Sequence, residues 1–143
     1  MAVIVQKFGG TSLGDTDRIH NVANRIKTYY EQGHNLAVVL SAMGKTTDHL
    51  VNMAQTLNRQ PPAREMDMLL STGEQVSIAL MAMALEALGV PAISFTGWQI
   101  DFRTNGRHSD ARIESIDGKR LKEQLSQRRV CLVAGFQGIH EGN

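Results

Sequence analysis

AVIVQKFGG, residues 2–10, sets the reading of everything that follows it. Seven residues, mostly apolar and β-branched, break at two adjacent glycines, the pattern of a buried strand running into a tight turn. From Asp15 the period changes. Ile19, Val22, Ala23, Ile26 and Tyr30 fall on one helical stripe, and Gly33 follows as a C-terminal stop. A second apolar run, LAVVL at 36–40, restores strand character. Strands of continuous apolar character alternating with helices indicate a mostly parallel sheet covered on both faces.

The rest of the chain extends that plan. After a loop at 41–47, a helix is expected from Asp48, with Val51, Ala54 and Leu57 inward, up to Pro61-Pro62. A helical stretch at 63–70 meets Ser71-Thr72-Gly73, and a long apolar helix then runs from Glu74 to Leu88. A third strand covers 91–95. WQIDFR and ARIESI read as two extended pieces joined by the turn-rich TNGRHSD, and a polar helix at 118–127 leads to the strand VCLVAGF at 130–136. The expected class is α/β, a mostly parallel sheet between helix layers, as one domain portion spanning 1–143.

Composition narrows the function classes. Fifteen Lys and Arg against fourteen Asp and Glu leave a net charge of +1. That balance argues against a nucleic-acid binder acting by phosphate neutralisation and against a polybasic membrane anchor. A single cysteine, Cys131, argues against a disulfide framework or a cysteine zinc site, and its apolar strand suits a buried small hydrophobe. The five histidines are scattered, with no i,i+4 pair to hold a metal. No apolar run reaches the ~18 residues that span a bilayer, and MAVIVQKFGG lacks signal-peptide features. The expected setting is the cytoplasm.

On parallel sheets ligands gather at the carboxyl ends of the strands, so the loops after Phe8, Leu40 and Phe136 carry the functional interest. In Lys7-Phe8-Gly9-Gly10-Thr11-Ser12, adjacent glycines let backbone N–H groups approach an anion, and Lys7 offers a fixed positive charge for phosphoryl chemistry. A plain strand-to-helix turn with an exposed lysine fits the same residues. The loop is not a dinucleotide fingerprint, because the next glycine after Gly10 is Gly14. In Ser41-Ala42-Met43-Gly44-Lys45-Thr46-Thr47, Gly-Lys-Thr resembles the end of a Walker A loop. The glycine needed five positions earlier is replaced by Val39, so that reading fails. Its hydroxyls suit a polar ligand, or Thr46 or Thr47 simply caps the next helix. Ser71 and Glu74 match the capping box, while an acidic side chain there would also suit a substrate ammonium. Arg103, Arg107, His108 and Arg112 make a basic hairpin tip, either a solvated turn or an interface.

Together, VQKFGGTSLGDTDRI, VVLSAMGKTTDHL, PAREMDMLLSTGEQVSIALMAMAL, SFTGWQIDF and VAGFQGI resemble the amino-terminal part of the bacterial aspartokinase family, within the amino-acid kinase superfamily. The resemblance covers essentially the whole chain, with the motifs in family order. It implies transfer of the γ-phosphoryl group of ATP, with Mg²⁺, to the side-chain carboxylate of L-aspartate. The product, 4-phospho-L-aspartate, leads towards lysine, threonine and methionine.

The resemblance also assigns roles. Lys7 is the catalytic lysine that stabilises the transferring phosphoryl group. Lys7, Phe8, Gly9, Gly10, Ser12 and Ser41 form the ATP and phosphate side. Ser41, Thr47 and Glu74 match aspartate-contacting positions, Glu74 meeting the α-ammonium, and no residue of this chain is assigned to a metal. In the family the chain continues into a Gly-rich loop, a nucleotide- and metal-binding half and regulatory domains. The expectation is therefore a fragment, incomplete at its C-terminal end, of an enzyme that is homo-oligomeric at full length and has neither nucleic-acid nor membrane partners. Two alternatives stand beside it: a relative acting on glutamate, N-acetylglutamate or a nucleoside monophosphate, and a non-catalytic remnant that only associates with kinase subunits.

Overall fold

The computed structural model describes residues 3–105 and 112–135. Four strands form one parallel sheet: β1 (Val3–Phe8), β2 (Asn35–Leu40), β3 (Ala92–Phe95) and β6 (Val130–Ala134), in the order β1-β2-β6-β3. Strands β4 (Phe102–Thr104) and β5 (Ile113–Ile116) make a separate antiparallel ribbon. Four α-helices connect them: α1 (Thr16–Glu31), α2 (Thr46–Leu57), α3 (Ala63–Ala87) and α4 (Lys119–Ser126).

The sheet is covered on both sides, as the apolar strands require. Leu36, Val38, Leu40, Val130, Leu132 and Ala134 meet Ile19, Val22, Ala23 and Ile26 of α1 and Ile78, Met81 and Leu85 of α3. On the opposite face Phe95, Cys131 and Val133 pack with Ile100 and with Leu125 of α4. Burying a side chain of this size contributes ~1.5–3 kcal/mol, so these two clusters hold the layers together. Cys131 is fully buried, and burial pushes its thiol up to about 11 against the opposing pull of Arg129. It is the inert packing residue that its strand suggests.

Helix α1 begins where the sequence places it. Asp15 caps it by accepting from the Arg18 backbone N–H at 2.8 Å, and Gly33 follows its end at a φ of +91°. Such a cap stabilises by ~0.5–2 kcal/mol, and the left-handed backbone at Gly33 strains any residue with a Cβ.

Several expectations need correction. Strand β1 is not buried on both faces. Its side chains alternate, and Val3 and Val5 are 62% and 68% exposed. Among the described residues β1 lies at the sheet edge, and α4 packs over β6 and β2 instead. Helix α3 runs without a break through Ser71-Thr72-Gly73. The Ser71 hydroxyl donates to Met68 O at 2.8 Å and that of Thr72 to Leu69 O at 2.7 Å, so both bond back to the preceding turn and leave the helix intact. Ser71 and Glu74 therefore do not form a capping box.

Helix α2 opens at Lys45 without a side-chain cap, so neither Thr46 nor Thr47 has that role, and Leu57 is exposed rather than inward. The first half of WQIDFR is a 3₁₀ turn, Gly97–Ile100, rather than extended chain. The Thr96 N–H donates to Gln99 Oε1 at 2.9 Å at its start, and Asp101 ends it in left-handed backbone at a φ of +55°. Two expectations, the loop after Phe136 and the tip residues Arg107 and His108, lie outside the described residues.

Candidate functional site

Phe8, Leu40 and Ala134 are level in the sheet, so β1, β2 and β6 end together. Their loops are bonded to one another at that end. The Ser41 N–H donates to Phe8 O at 3.2 Å, Gly44 N–H to Gly10 O at 2.8 Å, and Gly135 N–H to Leu40 O at 3.0 Å. The two loops singled out in the sequence are thus one backbone-bonded unit.

Three glycines allow this closeness. A Cβ on Gly10 would lie 2.8 Å from Ala42 O and 3.0 Å from Gly44 O, both backbone atoms that cannot easily give way. Gly44 has a φ of +49°. A Cβ on Gly73 would stand 3.0 Å from the Ala42 Cβ and 3.3 Å from Thr46 Cγ2. Gly73 is therefore the point at which α3 is pressed against the 41–47 loop. Gly9 differs, because its missing Cβ faces open space. Its backbone is exposed, as an approaching anion requires.

Lys7 is the last residue of β1 but one, level with Val39 and, through it, with Val133. Its side chain is exposed at the same sheet end. Glu74 follows Gly73 and is only 5% exposed, in the middle of a helix. Burying a carboxylate is costly unless something compensates, so a place beside a close contact with the 41–47 loop is informative. Phe8, Gly10, Ser41 and, through Ala42, the Gly73-Glu74 turn are brought together. Thr47 is exposed in the first turn of α2. The Ser12 N–H donates to Gly9 O at 3.2 Å, and Ser12 also lines an open groove of about 280 Å³ with Thr11, Arg18, Asn21 and Arg25.

Sequence reasoning missed Arg18, Gly44 and Gly73. The Arg18 guanidinium donates to Thr11 O at 2.6 Å and so fixes the 3₁₀ turn Gly10–Leu13 that follows the glycines. The only signal for it was an arginine in the first turn of α1. A second open groove of about 360 Å³, lined by Asp101, Asp117, Lys119, Arg120 and Glu123 among others, contains none of the expected residues. Among the described residues no group of three His, Cys, Asp or Glu side chains could hold a metal.

Comparison with known proteins agrees with the fold. The model of the amino acid kinase family matches residues 2–143. The aspartokinase of Thermus thermophilus is 54% identical over 138 residues, 96% of this chain and 34% of that protein. The crystal structure of aspartate kinase from Synechocystis superposes with a TM-score of 0.80 at 51% identity, over 96% of this chain and 22% of that one. E. coli aspartokinase III in complex with aspartate and ADP reaches a TM-score of 0.84 over 100% of this chain and 42% of its own. At 22% identity that match speaks for the fold alone. The chain spans about a third of the length of the curated relatives it matches.

Proposed function

The chain belongs to the amino acid kinase family, and from that premise we propose that it is the acceptor side of an aspartate kinase. Residues 1–143 form the amino-terminal portion of the kinase domain. The reaction moves the γ-phosphoryl group of ATP to the side-chain carboxylate of L-aspartate, giving 4-phospho-L-aspartate, the first step towards lysine, threonine and methionine. The observation that carries this reading is the union of the Gly9-Gly10 loop, the Ser41–Gly44 loop and the Gly73-Glu74 turn at one sheet end. The 54% identity to an aspartokinase supports the choice of acceptor.

The chemistry asks little of side chains. A carboxylate is already nucleophilic at neutral pH, so its oxygen attacks the γ-phosphorus as the bond to the β,γ-bridging oxygen breaks, and no proton moves. What the protein supplies is position and charge. The exposed Gly9 backbone, with Gly10 and Phe8, cradles phosphate oxygens, and Ser12 and Ser41 add hydroxyls. Lys7 meets the charge that spreads over the transferring group. Glu74 receives the α-ammonium of aspartate, and Thr47 and Ser41 contact the same substrate.

The open space over Gly9 leaves room for a phosphate of ATP. Mg²⁺ finds no ligand set among the described residues, so no step is assigned to it on this chain. We place the enzyme in the cytoplasm as a homo-oligomer. A free ammonium calls for a carboxylate partner, so Glu74 favours aspartate over an N-acylated substrate.

The test expresses the whole reading frame that encodes this segment and traps acyl phosphate as hydroxamate. Product that requires both ATP and L-aspartate is expected. Product formed with glutamate, N-acetylglutamate or a nucleotide instead, or no product with any acceptor, overturns the reading.

A further inference from the structure

Arg18 stands where its charge is locally unfavourable. It lies in the first turn of α1, beside the positive end of the helix dipole, where a carboxylate is the favoured residue. Among the described residues it forms no ion pair. A residue that conflicts with its local setting marks a functional demand. The guanidinium turns back past Gly14, where a Cβ would lie 3.5 Å from Nη1, and donates from that nitrogen to Thr11 O at 2.6 Å. That is short for an N–H···O bond, as charge assistance makes it.

The bond continues into the glycine loop. Thr11 O and the Ser12 N–H belong to one planar peptide unit, and that N–H donates to Gly9 O at 3.2 Å. Gly9 O in turn belongs to the unit that carries the Gly10 N–H. In a trans peptide the C=O and N–H point opposite ways, so with Gly9 O drawn in towards Ser12 the Gly10 N–H faces out of the turn. Each bond in such a chain polarises the next. We propose that Arg18 is a positioning residue for phosphate binding: through Thr11 O and Gly9 O it fixes the direction of the Gly10 N–H and strengthens it as an anion donor, without touching ATP itself. The inference rests on the kinase reading for the identity of the anion.

Arg25 supplies the control. It carries the same charge and lines the same groove as Arg18, yet makes none of the bonds that hold the loop. In the complete enzyme, Arg18→Ala should bind ATP about 10-fold more weakly by calorimetry, and Arg25→Ala should bind it like the parent. KM for ATP should rise with the loss of affinity while KM for aspartate stays unchanged. Arg18→Lys, which retains a charged donor, should recover part of the loss. Arg18 is exposed, so the melting temperature should move by no more than a few degrees. Arg18→Gln keeps the stem over Gly14 without the charge and gives the same reading if Arg18→Ala folds poorly. Equal losses in Arg18→Ala and Arg25→Ala would assign the effect to the general field of the groove and overturn the proposal. So would unchanged ATP affinity in a folded Arg18 variant, or a parallel rise in KM for both substrates. ATP affinity is read without an acceptor. A parent that binds ATP but does not phosphorylate aspartate therefore contradicts the kinase assignment while the Arg18 comparison still decides this proposal, and a parent that binds no ATP overturns both.

Discussion

The backbone N–H of Gly44 donates to the carbonyl of Gly10 across 2.8 Å, and this bond joins the loop after β1 to the loop after β2. It exists because neither residue has a side chain. A Cβ on Gly10 would strike Ala42 O at 2.8 Å, and Gly44 holds a left-handed φ of +49°. The two loops therefore behave as one wall of the site.

Gly10→Ala should separate those loops. The displaced atoms are backbone, so a loss of ~1–3 kcal/mol is expected, as for overpacking elsewhere. Gly9→Ala should barely move the melting temperature, because its Cβ would enter open space. Thermal unfolding of the two variants side by side checks the contrast, and equal losses would contradict the loop geometry.

Lys7→Ala should leave folding nearly intact, since the side chain is exposed, while turnover in the complete enzyme falls by about two to three orders of magnitude, the scale typical of a lost transition-state donor. Steady-state kinetics measure this, and near-normal kcat would remove Lys7 from the mechanism.

Arg128 predicts the opposite pattern. It holds a φ of +60°, donates to His34 O at 2.7 Å and Tyr30 O at 2.9 Å, and lies 4.4 Å from the Tyr30 ring centroid. These contacts tie the start of β6 to the connection between α1 and β2, at the sheet end away from the site. Arg128→Ala should cost about 2–3 kcal/mol by denaturant titration, from lost hydrogen bonds to a charged group, with little change in KM.

Cys131 gives a pH signature. Its folded-state value is raised to about 11 from an ordinary 9.0. Below pH 9 the thiol is neutral in both states and its full contribution is present. As pH rises from about 9 to 11, the unfolded chain ionises first and stability is lost. The melting temperature of Cys131→Ala should therefore decline less over that window than that of the parent. Parallel declines would show that the thiol is not the cause.

Much of the layering was legible because its signals are local. The apolar runs of β1, β2 and β6, the change of period at Asp15 and the Gly33 stop can each be read within a few residues. What escaped depends on contacts between distant parts of the chain. Gly73 looked like a helix break, yet it is there because α3 presses on Ala42, 31 positions earlier in the sequence. The side-chain bonds of Ser71 and Thr72 to the preceding turn keep that helix whole, and composition does not reveal them. The edge position of β1 follows from strand order, which no single run encodes. The Gly-Gly loop and Glu74 were identifiable as residues of interest, but their meeting through Ala42 was visible only in the fold.

The central claim, that this chain presents the acceptor side of an aspartate kinase, is tested most directly at Glu74. Glu74→Gln keeps the size of the side chain and removes its charge. A lost charge-assisted hydrogen bond of about 1.5–3 kcal/mol corresponds to a rise of roughly 10- to 100-fold in KM for aspartate. Measured in the complete enzyme, that rise should occur with KM for ATP unchanged and the melting temperature within a few degrees of the parent. An unchanged KM for aspartate in a stable Glu74→Gln enzyme would contradict the account.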